Sequence, residues 1–246
     1  MSDLTDKVVL ITGSSRGIGA AIARAAAQAG AQVIVNYAGG QADAEAVVTA
    51  IEQAGGQSLA VQADVSQAAD VRQLFATAIA RFGRVDVLVN NAGIMKLSLL
   101  KDTTDEDLQR TLAINVTGVF NTLREAATQL ADGGSIVNFS SSVTRLMLPT
   151  YAAYCASKGA VEQLTRVFAK EMGARGIRVN SISPGPVNTE LFTKGKPQEV
   201  IDRLGAMAAF NRIGEPEDIA RMVLLLASDE SSWVTGQNIG ANGGFA

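Results

Sequence analysis

Histidine is absent from the 246 residues of this chain. Its absence excludes Ser–His and Cys–His nucleophilic pairs, histidine general bases and the commonest zinc ligand. Cysteine occurs once, as Cys155, so an intramolecular disulfide is excluded and a zinc site would have to rely on carboxylates. We therefore expect no metal site, and any acid–base chemistry must come from Tyr, Lys, Asp or Glu.

Three further features are missing from the sequence. It has no block of like charges and a formal net charge of only −3, which disfavours a nucleic-acid-binding protein. No apolar run reaches the roughly 20 residues that span a bilayer, and the first residues lack the basic-then-apolar pattern of a signal peptide. Together with the single cysteine, these absences predict a cytoplasmic globular protein without a nucleic-acid or membrane partner.

Short apolar runs bounded by turn formers alternate with helical patterns from end to end. The predicted strands are 7–12, 31–36, 58–64, 85–91, 134–140, 177–184 and 236–244. Because these runs are almost continuously apolar, we predict a parallel sheet covered by helices on both faces, a doubly wound α/β fold. Residues 1–246 are predicted to form one domain, with 185–210 as a mobile substrate-binding loop, and Pro216 is expected in the first turn of a helix.

The sequence TGSSRGIG follows the first strand directly and places glycines at positions 13, 17 and 19. Between a strand and a helix, Gly13 would permit a tight turn, Gly17 a close approach to a pyrophosphate, and Gly19 close helix–strand packing. The helix N-terminus beyond them would offer free N–H groups to an anion. The pattern favours a dinucleotide site, with an ordinary strand–helix turn as the alternative.

The second predicted strand ends at Asn36 and Tyr37, which carry no charge. An NAD-dependent enzyme is expected to have Asp or Glu here, to accept a hydrogen bond from the ribose 2′-hydroxyl. Arg16, inside the glycine loop, is instead placed to meet a 2′-phosphate. The combination favours NADP(H), and a solvated loop charge is the alternative explanation of Arg16.

Tyr154 and Lys158 lie four residues apart in YCASK, within a helical pattern. Side chains at i and i+4 share a helix face, so the ammonium can reach the phenol. A phenol with a pKa of about 10 is a poor acid–base catalyst at neutral pH, and a nearby cation lowers that pKa by favouring the phenolate. The alternative is a partly buried tyrosine beside a lysine whose stem covers apolar surface.

When the glycine loop and the Tyr154–Lys158 pair are taken together with four further motifs, the chain resembles the short-chain dehydrogenase/reductase family over its whole length. The motifs are TGSSRGIG, NNAG at 90–93, Asn115 within INVTG, Ser141 within FSSS, YCASK, and PGPVNTE at 184–190. They occur in the family's order, and Ser141 lies thirteen residues before Tyr154, as the family pattern requires.

The resemblance implies a single Rossmann-fold domain with seven parallel strands in the order 3-2-1-4-5-6-7. Tyr154 would donate a proton to a carbonyl oxygen while NADPH delivers hydride to the carbon, and Ser141 would hydrogen-bond that oxygen. Lys158 would hold the nicotinamide ribose and lower the pKa of Tyr154. Asn115 would hold a water that links Lys158 to solvent, with a helix distortion fixed by its amide as the alternative.

The resemblance also assigns two sets of binding residues by position. The expected cofactor contacts are Gly13, Ser15, Arg16, Gly17, Ile18, Gly19, Asn36, Tyr37, Asp64, Val65, Asn90, Asn91, Ala92, Gly93, Tyr154, Lys158, Pro184, Gly185, Val187 and Thr189. Loops after strands 4, 5 and 6 are expected to line an apolar substrate pocket. Its candidates are Met95, Leu97, Val143, Leu146, Met147, Leu191, Phe192 and Tyr151, the last of which could equally be a packing residue.

The leading functional prediction is an NADPH-dependent oxidoreductase that reversibly reduces small or medium aldehydes and ketones. One alternative is a 3-oxoacyl-carrier-protein reductase, for which Arg175 and Arg178 are candidate docking cations, with plain solvent exposure as the alternative explanation of both. Another is a non-catalytic protein that senses NADP(H). The helical patterns 106–130 and 151–173 are apolar over more than one face, so we expect an oligomer, and the resemblance implies a homotetramer.

Overall fold

The computed structural model describes residues 2–246, in which seven strands form one parallel sheet. The strands are β1 (Val8–Ile11), β2 (Gln32–Tyr37), β3 (Gln57–Gln62), β4 (Val87–Asn90), β5 (Ser135–Phe139), β6 (Arg178–Pro184) and β7 (Asn238–Ala241). Their order is β3-β2-β1-β4-β5-β6-β7, and every neighbouring pair is parallel. The predicted strands, their order and the doubly wound fold are confirmed.

The central strands β1, β4, β5 and β6 are buried along their whole length. Successive side chains enter two apolar clusters on opposite faces of the sheet, with Val9 and Ile11 in one and Leu10 in the other. Burial on both faces explains why these runs are continuously apolar rather than alternating. Because the strands are parallel, their carboxyl ends meet at one edge of the sheet, where the polar motifs collect.

Helices cover both faces of the sheet. They are α1 (Gly17–Gln28), α2 (Gln41–Gln53), α3 (Ala68–Phe82), α4 (Asp105–Leu112), α5 (Gly118–Gln129), α6 (Val143–Leu146), α7 (Ala152–Glu171), α8 (Glu190–Thr193), α9 (Gln198–Ala206) and α10 (Pro216–Ala227). Helices α1, α2 and α10 pack on one face, and α3, α5 and α7 pack on the other. The helix predicted at Pro216 begins there. None of the helices within 2–246 combines the length and apolar content that crossing a membrane requires.

The helix predicted over 106–130 is interrupted in the middle. A π-helical turn, Ala113–Thr117, separates α4 from α5 and contains Asn115. The Asn115 amide donates to the carbonyl of Ile94 and accepts from its N–H, both at 2.9 Å. The distortion therefore ties this helical layer to the segment that follows β4.

Residues 185–210 contain more regular structure than the sequence pattern indicates. Both α8 and α9 lie in this segment. The apolar residues Val200 and Leu204 of α9 are four positions apart, a helical spacing that could have revealed this helix. The mobility of the segment stays a prediction.

Arg175 and Arg178, the candidates for docking an acidic carrier protein, are both bonded within the fold. Arg178 is only 8% exposed, and its guanidinium donates to the carbonyls of Leu226 and Ser228 at 2.7 and 2.9 Å. Arg175 bonds the carboxylate of Asp132 at 2.7 Å as well as carbonyl groups at the end of α5. Both guanidinium groups therefore fix chain segments to each other instead of being presented to a partner.

Candidate active site

The glycine loop between β1 and α1 has no room for larger side chains at two of its positions. Gly13 adopts φ +61°, and a Cβ there would lie 2.9 Å from the Cα of Ala92. A Cβ on Gly19 would lie 2.6 Å from the carbonyl oxygen of Gly13. These glycines let α1 pack directly against the end of the sheet, as the dinucleotide pattern requires.

The N-terminus of α1 is suited to an anion. Arg16 precedes the helix in an extended conformation and makes no side-chain cap, and the first turn contains no acidic residue. The backbone N–H groups of that turn and the positive end of the helix dipole therefore face the cleft without a competing carboxylate on the helix itself.

Asn36 was expected to contact the cofactor, but its side-chain amide is bonded to backbone groups of the protein. It is 1% exposed, accepts from the Gly13 N–H at 3.2 Å, and donates to the carbonyls of Val61 and Ala63 at 3.2 and 3.0 Å. Asn36 thus holds the glycine loop against β3, and its neutrality leaves no carboxylate at the end of β2.

A cleft of about 710 Å³ runs along this edge of the sheet. It is lined by these expected cofactor contacts: Gly13, Ser15, Arg16, Gly17, Ile18, Gly19, Asn36, Tyr37, Asp64, Val65, Asn91, Ala92, Gly93 and Thr189. Asn90 does not line it, because its amide is buried between Asn138 and Thr122 in the core. Sequence reasoning missed several wall residues, namely Ala38, Gly39, Ala63, Ile94, Arg110, Ile114, Glu190 and Lys194, and it assigned Met95 and Leu191 to the substrate pocket alone.

Arg16 forms an ion pair across the mouth of the cleft. Its Nη1 lies 3.4 Å from Oε2 of Glu190, and the other oxygen of Glu190 accepts from Lys194 Nζ at 2.9 Å. The guanidinium therefore stands at the expected place but shares a carboxylate with a second cation of the cleft wall. Hydrogen bonding and charge from Lys194, reinforced by Arg16, lower the pKa of Glu190.

A second, smaller cavity of about 130 Å³ adjoins the first. Ser141, Tyr154 and Lys158 all line it, as do the expected cofactor contacts Pro184, Gly185 and Val187. Tyr154 and Lys158 come from α7, and Ser141 follows β5. The two cavities share the walls Ile18, Asn91, Gly93, Met95, Thr189 and Leu191. The side chains of Ser141, Tyr154 and Lys158 therefore lie in a cavity whose ligand would contact a ligand bound in the larger cleft.

Burial shifts the pKa values of Tyr154 and Lys158 in opposite directions. It raises the pKa of the Tyr154 phenol to about 12, although a hydrogen bond with Ser141 opposes the shift. It lowers the pKa of the Lys158 ammonium to about 8. The expectation that Lys158 lowers the pKa of Tyr154 is thus not met, because desolvation dominates. Lys158 Nζ instead donates to the carbonyl of Phe139 at 2.7 Å.

Asn115 is fully buried beside this group. Besides its two bonds to Ile94, its Nδ2 donates to Ser157 Oγ at 3.1 Å. The Ser157 hydroxyl in turn donates to the carbonyl of Tyr154 at 2.7 Å. The amide therefore fixes the helix distortion and links it to α7, which supports the alternative explanation given above.

The substrate pocket was predicted in part. Met95, Val143, Tyr151, Leu191 and Phe192 line the smaller cavity. Leu97, Leu146 and Met147 do not line it, and Met147 is 74% exposed because the chain turns away there with φ +51°. The wall residues that were missed are Phe139, Ser140, Ser142, Leu148, Pro186, Leu204 and Phe245.

Tyr151 is both a wall and a packing residue. It lines the cavity, and its ring meets that of Tyr154 edge to face at a centroid distance of 6.5 Å. The question left open by the sequence is thus answered in favour of both roles.

A protein-family model described as enoyl-(acyl carrier protein) reductase matches residues 13–246. An uncharacterized oxidoreductase of Methylorubrum extorquens is 48% identical over 246 residues, 99% of this chain and 99% of that protein. A solved short-chain dehydrogenase/reductase of Serratia marcescens is 40% identical with a TM-score of 0.94, covering 98% of each chain. The solved angucycline C-6 ketoreductase LanV, with bound NADP, is 39% identical with a TM-score of 0.94, covering 99% of this chain and 97% of that one.

Proposed function

Because the chain belongs to the short-chain dehydrogenase/reductase family, we propose that it is an NADP(H)-dependent enzyme that reversibly reduces an aldehyde or ketone to an alcohol. One observation carries this proposal. Tyr154, Ser141 and Lys158 line an apolar cavity that shares its walls with the larger cleft. A carbonyl in the smaller cavity would therefore lie beside a cofactor in the larger one.

The larger cleft fits a dinucleotide with a 2′-phosphate. The glycine loop leaves room for a close approach, and the first turn of α1 offers N–H groups without an acidic neighbour on the helix. Arg16 and Lys194 supply positive charge at the cleft wall, and β2 ends in uncharged residues. When bound, NADPH supplies the hydride that reduces the carbonyl carbon, and NADP⁺ takes it back in the reverse reaction.

Tyr154 is the proton donor in this proposal. Its raised pKa keeps the phenol protonated throughout the neutral range, as reduction requires. Ser141 would donate a hydrogen bond to the same substrate oxygen and stabilise the negative charge that develops there. In the reverse direction Tyr154 must accept a proton, and the charge of Lys158 would favour its phenolate.

Lys158 is the residue proposed to hold the nicotinamide ribose. A Cβ on Gly93 would lie 3.6 Å from Lys158 Nζ and 3.3 Å from Asn115 Oδ1, so this residue, which lines both cavities, stands directly beside the two groups. The water proposed at Asn115 would have to use a remaining lone pair or a carbonyl of the π-helical turn, since Nδ2 is already bonded.

The smaller cavity favours an uncharged, apolar substrate. Within residues 2–246, Lys158 is the only charged side chain in its wall, and most of the others are aliphatic or aromatic. A charged substrate would lose its hydration there, and the single charge in the wall, Lys158, is the residue proposed to hold the cofactor ribose, so the cost of desolvation disfavours binding. The internal bonds of Arg175 and Arg178 also weaken the carrier-protein alternative.

The substrate proposal is tested by a comparison of kcat/KM with NADPH across neutral aldehydes and ketones of increasing size, a 2-oxo acid and a 3-oxoacyl-carrier-protein thioester. We expect the highest kcat/KM for the neutral aldehydes and ketones and a low kcat/KM for the 2-oxo acid. A thioester far ahead of free ketones would favour the carrier-protein alternative. NADPH binding without turnover of any carbonyl would favour the sensing protein.

We propose a cytoplasmic homotetramer. Phe120 of α5 and Val167 of α7 are exposed, which leaves an apolar surface on the helical layer that faces away from the sheet. The free thiol of Cys155 suits a reducing compartment. Sedimentation velocity of the wild type and of Val167→Glu tests the assembly, and an unchanged tetramer in the variant would place the interface elsewhere.

A further inference from the structure

Glu162 joins α7 to the segment that carries Ser141. It lies one helical turn after Lys158 and two turns after Tyr154. Its Oε1 accepts a hydrogen bond from Ser140 Oγ and another from Thr144 Oγ1, both at 2.8 Å. Ser140 precedes Ser141 and Thr144 follows it, so a single carboxylate oxygen binds the chain on both sides of Ser141.

This carboxylate is well placed to make strong bonds. The Glu162 side chain is 13% exposed, and Ser140 is buried. Hydrogen bonds from hydroxyl groups to an ionised carboxylate are shorter and stronger than those between neutral groups. The charge is balanced by Arg166 on the same helix, whose Nη2 lies 3.7 Å from Oε2.

The opposite side of the segment is tied to β6. The Ser140 N–H donates to the Ile182 carbonyl at 2.8 Å, and the Ser142 N–H donates to the Pro184 carbonyl at 3.0 Å. The Ser142 hydroxyl adds a bond of 2.9 Å to Pro184. These bonds locate the backbone relative to the sheet, but they do not locate it relative to Tyr154, which stands on α7.

The Glu162 bonds contribute to that relation. Two other bonds from α7 reach the same region, from Lys158 Nζ to the Phe139 carbonyl at 2.7 Å and from the Cys155 thiol to the Val143 carbonyl at 3.4 Å, but only Glu162 bonds side chains on both sides of Ser141. Thr144 Oγ1 also lies 2.9 Å from the carbonyl oxygen of Ser141 itself. Tyr154, Lys158 and Glu162 share one helix, so a contact from Glu162 to the Ser141 segment fixes the serine relative to the phenol.

We propose that Glu162 is a positioning residue for the reaction, which holds Ser141 Oγ in register with the Tyr154 phenol through Ser140 and Thr144. The role assigned to Ser141 rests on the proposed carbonyl reduction. A shift of about 1 Å in such a group can reduce turnover by about a hundredfold. Glu162 itself lines neither of the two cavities.

The kinetic test compares Glu162→Ala, Glu162→Gln and the control Glu171→Ala, an exposed change on the same helix. We expect Glu162→Ala to lower kcat by about 10- to 100-fold with an unchanged NADPH Kd. Glu162→Gln keeps an acceptor oxygen and should retain most of the turnover, and the control should match the wild type. A full kcat in Glu162→Ala would overturn the proposal, even if its Tm fell.

A double-mutant cycle separates positioning of Ser141 from any independent effect. In the Ser141→Ala background there is no hydroxyl left to position, so adding Glu162→Ala should change kcat less than about twofold. An undiminished loss in that background would show that Glu162 does not act through Ser141.

Crystal structures with NADP⁺ keep this test distinct from the proposed function. In Glu162→Ala we expect the separation of Ser141 Oγ and Tyr154 Oη to change by about 1 Å or more, or to vary between copies. An unchanged separation would overturn the proposal whether or not the protein reduces carbonyls. If the wild type reduces none, the proposed function fails while this geometric result still stands.

Discussion

The ammonium of Lys158 lies 5.6 Å from the centroid of the Tyr154 ring, one helical turn further along α7. The two groups are close enough for the charge of one to affect the protonation of the other. Burial nevertheless moves both pKa values against their charged forms, to about 12 for the phenol and about 8 for the ammonium. The Tyr154 phenol therefore stays protonated at neutral pH.

Removal of the Tyr154 hydroxyl should abolish most of the turnover. We expect Tyr154→Phe to lower kcat by about a hundred- to ten-thousandfold, since a positioned proton donor is lost. The NADPH Kd, measured by fluorescence titration, should stay near that of the wild type. Tyr151→Phe removes a hydroxyl from the same cavity wall and is the matched control, which should keep most of its activity. Comparable losses in both variants would contradict the role given to Tyr154.

The sequence was sufficient for the sheet and for proposing Tyr154 and Lys158 as a pair, because both depend on local patterns. Continuous apolar runs such as Val8–Ile11 mark strands buried on both faces, and the spacing of Tyr154 and Lys158 needs only one helix. Glu162 was missed because its two partners lie about twenty residues earlier, and only the fold brings them together. Arg178 was misinterpreted for a similar reason: a cation in a strand pattern gives no sign that carbonyls of α10 surround it.

Lys158 should make the stability of the protein depend on pH in a defined window. Its pKa falls from 10.5 to about 8 on folding, so between these values the unfolded chain binds a proton that the folded protein has released. Stability contributed by this group therefore rises with pH from about 8 to about 10.5, by at most about 3 kcal/mol.

The comparison with Lys158→Met isolates this effect best between pH 8 and about 9, where Tyr154 keeps its proton in the folded and the unfolded state, with pKa values of about 12 and 10. The free energy of unfolding of the wild type minus that of the variant, from denaturant titrations, should increase across the window. A difference that is flat or decreasing with pH would show that the ammonium is not desolvated.

Arg16 should set the preference for NADPH over NADH. We expect Arg16→Ala to reduce the ratio of kcat/KM for NADPH to that for NADH by about tenfold or more, because a charge-assisted contact with the 2′-phosphate is lost. Arg24→Ala removes the same charge from an exposed position of α1 and should leave the ratio unchanged. If Arg16→Ala and the wild type prefer NADPH over NADH to the same extent, a cation other than Arg16 must recognise the 2′-phosphate.

Glu190 should weaken the binding of NADPH, since its carboxylate occupies Arg16 and Lys194 at the cleft wall. Both partners are exposed, so the effect is expected to be small and to decrease with added salt. In Glu190→Gln, the NADPH Kd at low ionic strength should fall by about two- to fivefold, and the NADH Kd should fall less. A weaker affinity for NADPH would mean that Glu190 orients Arg16 for binding instead of competing for it.

Arg178 should matter for stability and not for catalysis. Its guanidinium bonds carbonyls of Leu226 and Ser228 and the hydroxyl of Ser231, at 2.7, 2.9 and 2.6 Å. Arg178→Ala would remove a buried charged donor from these acceptors, although the Leu226 and Ser228 carbonyls would keep bonds from the hydroxyls of Ser135 and Ser231. The variant should lower the free energy of unfolding by about 2 kcal/mol. Lys170→Ala, an exposed change on α7, should alter it by less than about 0.5 kcal/mol. The folded fraction of Arg178→Ala should keep its kcat/KM on free ketones, and a selective loss with a carrier-protein substrate at unchanged stability would instead support a docking role.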